Sequence, residues 1–255
     1  MTSEINKSSQ PNVVGAAPEG ANNEAAAAIA VRDMFSSIAP RYDLLNHVLS
    51  MNVDRLWWNR TARTFTHILQ KPGAQVLDLC CGTGDMTFAL YRRSGNDSVE
   101  FTGADFSRAM LVRAEHKSGA RKIRWVEADA LAMPFDAGQF DLVTAAFGFR
   151  NLANYDRGLA EIYRVLAPEG EVGILDFGDP KGLFGHVYRF YFRHVLPAIG
   201  TVISGVSGPY KYLPASVQRF PAPERMLERM REAGFREASW TPYTFGIAGL
   251  YRGKK

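Results

Sequence analysis

The chain has 255 residues, of which 46% are hydrophobic and 22% charged, so it is long enough to bury the core of one large globular domain. Its formal net charge of +4 is small and spread along the chain, so the charge does not require a nucleic acid partner. Any attraction to anionic membranes is expected to be weak for the same reason. The two cysteines are adjacent, which argues against a disulfide framework and against a metal site and agrees with a reducing cytoplasm.

The N-terminal stretch, residues 1–24, is rich in small and polar residues and is predicted to be a disordered tail. It lacks the basic segment and apolar run of a secretory signal. No apolar run of about 18 residues occurs anywhere in the chain, so membrane spanning is not expected. These features predict a cytoplasmic protein.

Helices are expected over residues 25–70. Apolar residues recur at helical spacing from Ala25 until Pro40, and a second helix is predicted from Asp54 to Leu69. The second helix carries Trp57 and Trp58, which are more typical of a core than of a ligand site. Because these helices precede a cofactor domain, they could also form a lid over an apolar substrate.

The stretch VLDLCCGTGD, residues 76–85, reads as a strand, a loop with two glycines and the start of a helix. Gly82 and Gly84 remove the Cβ atoms that would keep a ligand from the backbone, and the helix N-terminus offers unpaired N–H groups. The spacing predicts a site where the polar end of a nucleotide lies on the main chain. The alternative is an ordinary tight turn between strand and helix.

The loop lacks the residues of two common nucleotide sites. A dinucleotide fingerprint would have Gly or Ala where Thr87 stands, and a P-loop would have Lys and then Ser or Thr where Asp85 and Met86 stand. Asp78 and Asp85 would repel a pyrophosphate but attract an amino group or a sulfonium. This favours S-adenosylmethionine over NAD or ATP.

Strands and helices alternate through residues 75–178, which predicts a doubly wound, mostly parallel sheet. After the first strand, the predicted elements are strands at Val99–Asp105, Ile123–Glu127, Phe140–Phe147 and Glu171–Phe177 and helices at Ser107–Lys117 and Tyr155–Leu166. Ligands of such sheets bind at the carboxyl ends of the strands.

Two acidic residues follow strands at that edge. Asp105 ends the second strand at a spacing where its carboxylate would accept hydrogen bonds from both ribose hydroxyls. Its alternative role is to cap the next helix, although Ser107 is itself a competent cap. Asp129 follows the third strand, where it could accept from an adenine amino group while the backbone of Ala130 meets the ring edge.

The remaining chain is predicted to complete the domain. Residues 183–220 form an expected cap, because Leu183–Ser204 is apolar and aromatic but interrupted by basic residues; a helix packed on the sheet is the alternative. Within residues 221–255, a helix through Ala233 and strands at Glu237–Pro242 and Phe245–Tyr251 would bring the sheet to seven strands.

Several motifs together resemble the class I S-adenosylmethionine methyltransferases: LDLCCGTGD, GADFSRAML, ADALAMPF, FDLVTAAFGFRN and YRVLAPEGEVGILDF. Three further runs resemble the ubiquinone/menaquinone biosynthesis C-methyltransferase family: MFSSIAPRYDLLNHVLS, FGFRN and YKYLPASVQRFP. This resemblance covers the chain from about Val31 onward. It implies a Rossmann-like fold with N-terminal helices and a helical cap.

Carried over residue by residue, the resemblance implies that Thr83 lies in the cofactor loop, that Asp105 binds the ribose, and that Asp129 and Ala130 bind the adenine. Ala146 stands where some members of the family have Ser, which leaves one polar cofactor contact open.

The implied reaction is methylation of a ring carbon of a demethylated prenyl quinol by S-adenosylmethionine, without a metal. A reduced ring with an ionised hydroxyl is a competent carbon nucleophile, and alignment with the methyl group is the main task of the enzyme. The resemblance points to Arg150 and Asn151 near the methyl group. Arg150 would lower the pKa of the hydroxyl, Tyr42 would hydrogen-bond the ring oxygens, and His194 is an outside candidate for the base.

The substrate stays open between a naphthoquinol and a benzoquinol, and another apolar phenol or a lipid is the alternative acceptor. A further alternative is a catalytically silent partner in a quinone-assembly complex. Peripheral contact with the inner face of the membrane and a homodimer are both compatible with the sequence, whereas no nucleic acid partner is expected.

Overall fold

A computed structural model of the chain describes residues 14–16, 18, 20–39, 52–95, 97–191 and 208–255. Three helices precede the sheet: α1 (Glu24–Ile38), α2 (Val53–Thr64) and α3 (Thr66–Leu69). Strands and helices then alternate: β1 (Gln75–Leu79), α4 (Asp85–Ser94), β2 (Glu100–Asp105), α5 (Arg108–Ser118), β3 (Ile123–Glu127), β4 (Phe140–Ala146), a 3₁₀ turn (Phe149–Asn151), α6 (Tyr155–Val165) and β5 (Leu166–Phe177). The C-terminal part contains α7 (Gly182–Phe190), α8 (Gly208–Arg219), α9 (Pro223–Glu232), β6 (Arg236–Tyr243), a 3₁₀ turn (Thr244–Gly246) and β7 (Ala248–Lys254).

The strands form one seven-stranded sheet in the order β3-β2-β1-β4-β5-β7-β6. The first five strands pair in parallel, and β7 runs antiparallel to both of its neighbours. The predicted Rossmann-like, mostly parallel sheet is therefore confirmed. Because β1 to β5 share one direction, the loops that follow them meet at one edge.

Apolar cores lie on both faces of the sheet, as a doubly wound arrangement requires. Along β1, Leu77 and Leu79 enter the core that α6 and α9 cover, whereas Val76 enters the core that α2, α3 and α4 cover. Trp57 and Trp58 are buried in the second core, which confirms their interpretation as core residues.

The helix expected from Asp54 to Leu69 is broken at Phe65. The backbone there has φ −100° and ψ 19°, and the Phe65 ring is fully buried. It packs on Gly173 of β5, where a Cβ would lie 2.6 Å from the ring. The prediction of a continuous helix was wrong because tertiary packing of Phe65, which local spacing does not reveal, ends α2.

The last strand also differs from its predicted bounds. It begins at Ala248 rather than Phe245 and continues to Lys254 rather than ending at Tyr251. Thr244, Phe245 and Gly246 have φ of 45°, 56° and 89°, values that an extended strand does not allow. These residues instead form the turn between β6 and β7. β5 begins at Leu166 rather than at Glu171, where a strand was expected.

Part of the predicted N-terminal tail contacts the domain. Ala16 is buried, and its N–H donates to the carbonyl oxygen of Leu152 at 2.8 Å. Asn23 caps α1 by accepting from the N–H of Ala26. The prediction of disorder therefore does not describe Ala16 or Asn23, because the backbone of one and the side chain of the other have hydrogen-bond partners.

Helices α7 and α8 lie within the segment predicted as a cap. Residues 192–207, which connect α7 to α8 and include His194, lie outside the described residues. Among the helices that the structure describes, none is long and apolar enough to cross a membrane.

Candidate active site

A cavity opens at the edge of the sheet where the parallel strands end. The residues that line it come from the loops after β1 to β4 and from α1 and α5: Ala28, Phe35, Leu79, Cys80, Gly82, Asp105, Phe106, Met110, Ala128, Asp129, Ala130, Leu131, Ala146, Phe147, Gly148, Asn151, Leu152 and Ala153. The site thus combines the glycine loop, the two predicted nucleoside carboxylates and the FGFRN run.

The glycine loop turns sharply between β1 and α4. Cys80, Gly82 and Gly84 have φ of 54°, 55° and 89°. At Gly84 a Cβ would also lie 2.7 Å from the Trp125 ring, so this position needs glycine both for its conformation and for close packing. The turn lets the loop backbone line the cavity at Gly82.

Asp105 lies at the end of β2 and lines the cavity, as predicted. Its Oδ2 accepts from the Gly82 N–H at 2.8 Å and its Oδ1 from the Ser107 N–H at 2.9 Å. Burial raises the pKa of this carboxyl to about 6, against the opposing effect of these hydrogen bonds. Asp105 therefore lines the cavity and also accepts from the N–H of Ser107, the residue that precedes α5, whereas its contact with a ribose stays a prediction.

Asp129 and Ala130 also line the cavity, after β3. Asp129 is exposed, and its Oδ1 accepts from the Leu131 N–H at 2.9 Å. Ala130 is buried beside it. Together with Asp105, Phe106 and Met110, these residues give the cavity apolar surface and carboxylate oxygens that accept hydrogen bonds, a combination that suits an adenosyl group.

Asp78 does not line the cavity. Its carboxylate is buried, with Oδ2 accepting from the Thr87 hydroxyl at 2.6 Å and Oδ1 from the Thr144 hydroxyl at 2.8 Å. Burial raises its pKa to about 6. Asp78 therefore joins β1 to β4 and α4, which differs from the direct contact with an amino group or sulfonium that the sequence predicted.

The side chain of Lys117 of α5 contacts the glycine loop and the start of α4. Its Nζ donates to Thr83 Oγ1 at 3.1 Å and to Asp85 Oδ1 at 2.9 Å. The Asp85 charge is thus paired within the protein. Thr83 and Gly84 are buried and are not among the residues that line the cavity, so their contact with a cofactor stays a prediction.

Arg150 lies in the 3₁₀ turn after β4 and is buried. Its Nη1 donates to Asp176 Oδ1 at 3.0 Å and to the carbonyl oxygen of Phe147, and its backbone N–H donates to Asp176 Oδ2 at 3.0 Å. Asp176 is fully buried at the end of β5. Arg150 is therefore held behind the cavity wall by an ion pair, and among the described residues its Nε has no hydrogen-bond partner.

Asn151 lines the cavity directly, next to Phe147 and Gly148. Its Oδ1 accepts from the Tyr212 hydroxyl of α8 at 3.2 Å, and its Nδ2 lies 3.5 Å from the carbonyl oxygen of Phe147. The structure therefore brings Asn151 to the site and places Arg150 behind it. Tyr42, the third predicted catalytic residue, lies outside the described residues.

Three aromatic side chains form a cluster, and one of them, Phe147, lines the cavity. The Trp57 ring lies 5.7 Å from Phe147 and 6.4 Å from Phe177, and the last two rings are 4.7 Å apart, measured between centroids. This cluster joins α2 to the ends of β4 and β5. Phe147 thus adds apolar surface to the cavity beside Asn151, with Trp57 and Phe177 packed against its ring.

Sequence reasoning did not assign several lining residues to the site. The N-terminal helices were interpreted as a possible lid, but no residue of α1 was assigned to the site, and Ala28 and Phe35 line the same cavity as Asp105. Gly148 was quoted only within the FGFRN run. A Cβ at Gly148 would lie 2.3 Å from Cys80 Cβ, so the two loops approach each other too closely for a side chain at this position. The glycine within the FGFRN run was the sequence feature that could have indicated this close approach.

Comparisons with known proteins agree with this geometry. A demethylmenaquinone methyltransferase of Deinococcus radiodurans is 51% identical over 229 residues, covering 89% of this chain and 92% of that protein. A ubiquinone/menaquinone biosynthesis C-methyltransferase UbiE of Geobacter sulfurreducens is 43% identical, covering 88% of each chain. The solved structure of a possible histamine N-methyltransferase from Thermotoga maritima is 17% identical with a TM-score of 0.61, covering 88% of this chain and 99% of that one, and supports the fold alone.

A profile of the ubiE/COQ5 methyltransferase family matches residues 21–255, nearly the whole of the chain. Since both the profile and the full-length relatives agree, the chain belongs to the ubiE/COQ5 methyltransferase family.

Proposed function

We propose that this protein transfers the methyl group of S-adenosylmethionine to a ring carbon of a demethylated prenyl naphthoquinol, forming menaquinol. The observation that carries the proposal is one cavity that joins Asp105 and Asp129 to Asn151. The choice of a naphthoquinol rests on the relative that is 51% identical, whose name gives demethylmenaquinone alone. A benzoquinol is the second candidate, since the relative at 43% identity carries both quinones in its name.

S-adenosylmethionine, when bound, supplies an electrophilic methyl group on a positively charged sulfur. The residues that would hold it are Asp105 at the ribose and Asp129 with Ala130 at the adenine. The loop backbone at Gly82 would hold the amino acid end. The buried Asp105 carboxylate already accepts two backbone N–H groups, which fixes its orientation before a ribose arrives.

The acceptor's side of the reaction depends on the ionised hydroxyl of the quinol. Loss of its proton to water places negative charge on the oxygen and on the ring carbon. That carbon forms a bond to the methyl group while the carbon–sulfur bond breaks, with the electron pair staying on sulfur. The ring carbon then releases its hydrogen as a proton. In this proposal Asn151 touches the ring, Phe147 orients it, and Arg150 acts from behind the wall.

Contact with an anionic membrane is part of the proposal, because a prenyl tail resides in lipid. Leu56 of α2 is 67% exposed and Phe245 of the β6–β7 turn is 83% exposed. They flank Trp57 and Thr244, whose side chains share a hydrogen bond of 2.8 Å. The neighbouring Arg55 and Arg60 are exposed cations on the same helix. Apolar side chains with adjacent cations match the chemistry of a lipid surface.

The deciding experiment measures transfer from labelled S-adenosylmethionine to a demethylated prenyl naphthoquinol, with dithionite present to keep the ring reduced. We expect labelled menaquinol, little product with the oxidised quinone, and slower transfer to a benzoquinol. Asp105→Asn is the matched control, since it should lose activity through cofactor binding. Equal rates with the oxidised ring would contradict the proposed chemistry. Transfer only to an unrelated phenol or lipid would show a different acceptor, and binding without transfer would favour a non-catalytic partner.

A further inference from the structure

Tyr212 links the cap to the cavity. It lies on α8, within the YKYLP run, and no role in the reaction follows from the sequence. Its hydroxyl donates to Asn151 Oδ1 at 3.2 Å, and Asn151 lines the cavity. The two residues are 61 positions apart, so this bond exists only when α8 is packed against the 3₁₀ turn after β4.

The direction of this hydrogen bond follows from the orientation of the Asn151 amide, because the reversed amide would bring Oδ1 instead of Nδ2 to 3.5 Å from the Phe147 carbonyl oxygen, a contact between two acceptors. Burial raises the pKa of the Tyr212 hydroxyl to about 12, so the hydroxyl keeps its proton at neutral pH and can donate it. The amide oxygen of Asn151 has no proton and must accept. The amide is thereby oriented with Oδ1 toward α8 and Nδ2 on the opposite side.

The Nδ2 group is left with capacity for a ligand. Its one partner among the described residues is the carbonyl oxygen of Phe147 at 3.5 Å, the upper limit for such a bond. A primary amide has two N–H donors, so at least one remains for an acceptor in the cavity. If the amide were reversed, the cavity would receive a carbonyl oxygen, which repels a phenolate.

We propose that Tyr212 is a positioning residue that holds the Asn151 amide with an N–H directed at the ring oxygen of the acceptor, so that charge developing on that oxygen is stabilised. The proposal rests on the proposed function, since it requires a hydroxylated ring as the acceptor. It also makes transfer depend on the cap, because α8 supplies the hydroxyl.

The first test is a double-mutant cycle with Tyr212→Phe and Asn151→Ala, read by single-turnover methyl transfer to the reduced naphthoquinol. Asn151→Ala should lose about 10²-fold, the scale of one lost oxyanion donor. Tyr212→Phe should lose about 10-fold, the scale of one hydrogen bond. In the Asn151→Ala background, Tyr212→Phe should have almost no further effect. Tyr163→Phe, whose ring packs on Phe235 away from the cavity, is the matched control and should keep the parental rate.

The pH dependence of the rate provides a readout that a merely structural role would not move. If the Asn151 N–H stabilises the ionised acceptor, Tyr212→Phe should shift the rising limb of the pH–rate profile upward by about one pH unit, the equivalent of a 10-fold loss. S-adenosylmethionine affinity, measured by calorimetry on the same protein, should stay at the parental value.

Asn151→Asp provides a second variant that is independent of the folding of Tyr212→Phe. A carboxylate still accepts from Tyr212 but offers the ring oxygen no N–H, so Asn151→Asp should be slower than Asn151→Ala. A faster Asn151→Asp enzyme, additive losses in the cycle, or an unshifted pH profile would each overturn the role of Tyr212. Failure of the proposed function looks different, since the parent protein itself would then not methylate the naphthoquinol.

Discussion

The buried ion pair of Arg150 and Asp176 predicts a specific order of stability losses. Asp176→Ala removes the acceptor of Arg150 Nη1 and of two backbone N–H groups, those of Arg150 and Phe177, which lie 3.0 and 2.9 Å from its oxygens. Removing one partner of a buried pair costs about 3–5 kcal/mol, because it leaves an uncompensated charge. The loss of stability in Arg150→Ala should lie near the lower end of this range, since the two backbone N–H groups still stabilise the Asp176 carboxylate.

These free energies translate into melting temperatures that are easily measured. In a domain of this size, 1 kcal/mol corresponds to about 2–4 °C. Arg150→Ala should therefore lower Tm by about 6–12 °C and Asp176→Ala by about 10–20 °C, measured by circular dichroism on the ligand-free protein. Arg225→Ala breaks an exposed ion pair with Glu228 and should change Tm little. A parental Tm for Arg150→Ala, or a larger loss than in Asp176→Ala, would refute this reasoning.

The same variants separate stability from catalysis. Asp156, which is closer to Arg150 along the chain than Asp176 is, accepts from Arg229, so the partner of Arg150 is Asp176. At a temperature well below its Tm, folded Arg150→Ala should still lose about 10²-fold in single-turnover rate if its charge assists ionisation of the acceptor. Arg150→Lys should recover part of that loss. A near-parental rate in Arg150→Ala would restrict Arg150 to holding the turn.

Three further predictions concern the cofactor, the loops and the membrane. S-adenosylmethionine affinity should fall as the pH drops through about 6, because ribose hydroxyls need the ionised Asp105 carboxylate, and Asp105→Asn should abolish this dependence while weakening binding by about 1.5–3 kcal/mol in calorimetry. Gly148→Ala should lower Tm by overpacking against Cys80, at about 1–3 kcal/mol, and Cys80→Gly in the same chain should restore it; an unchanged Tm in Gly148→Ala would contradict this. Leu56→Asp with Phe245→Asp should reduce cosedimentation with anionic vesicles. A neutral control, Leu56→Ser with Phe245→Ser, should also bind less than the parent, and parental binding of this control would argue that charge alone decides binding.

The sheet could be predicted from the sequence because its signals are local. The regular alternation of strand-like and helix-like segments marked the parallel strands, and the residues after them could be placed at one edge by direction alone. Asp105 and Asp129 were predicted to line the site in this way, and both do.

The failures arose from contacts between distant parts of the chain. Asp78 is next to Thr144 because β1 and β4 pair in that register, and the two positions are 66 residues apart. Local reasoning counted Asp78 as a free carboxylate and could not foresee its two hydroxyl partners. The Arg150–Asp176 pair likewise requires β4 and β5 to be neighbours. Tyr212 was visible only as part of a motif, because its partner depends on how α8 packs.

The position of α1 connects binding in the cavity to order at the N-terminus. The helix lines the cavity through Ala28 and Phe35, and the Ser36 hydroxyl lies 2.9 Å from that of Ser107, whose backbone N–H donates to Asp105. Any ligand that binds more tightly with α1 in place must stabilise α1 by the same free energy. For such a ligand, amide exchange in residues 24–38 therefore reports on occupancy of the cavity.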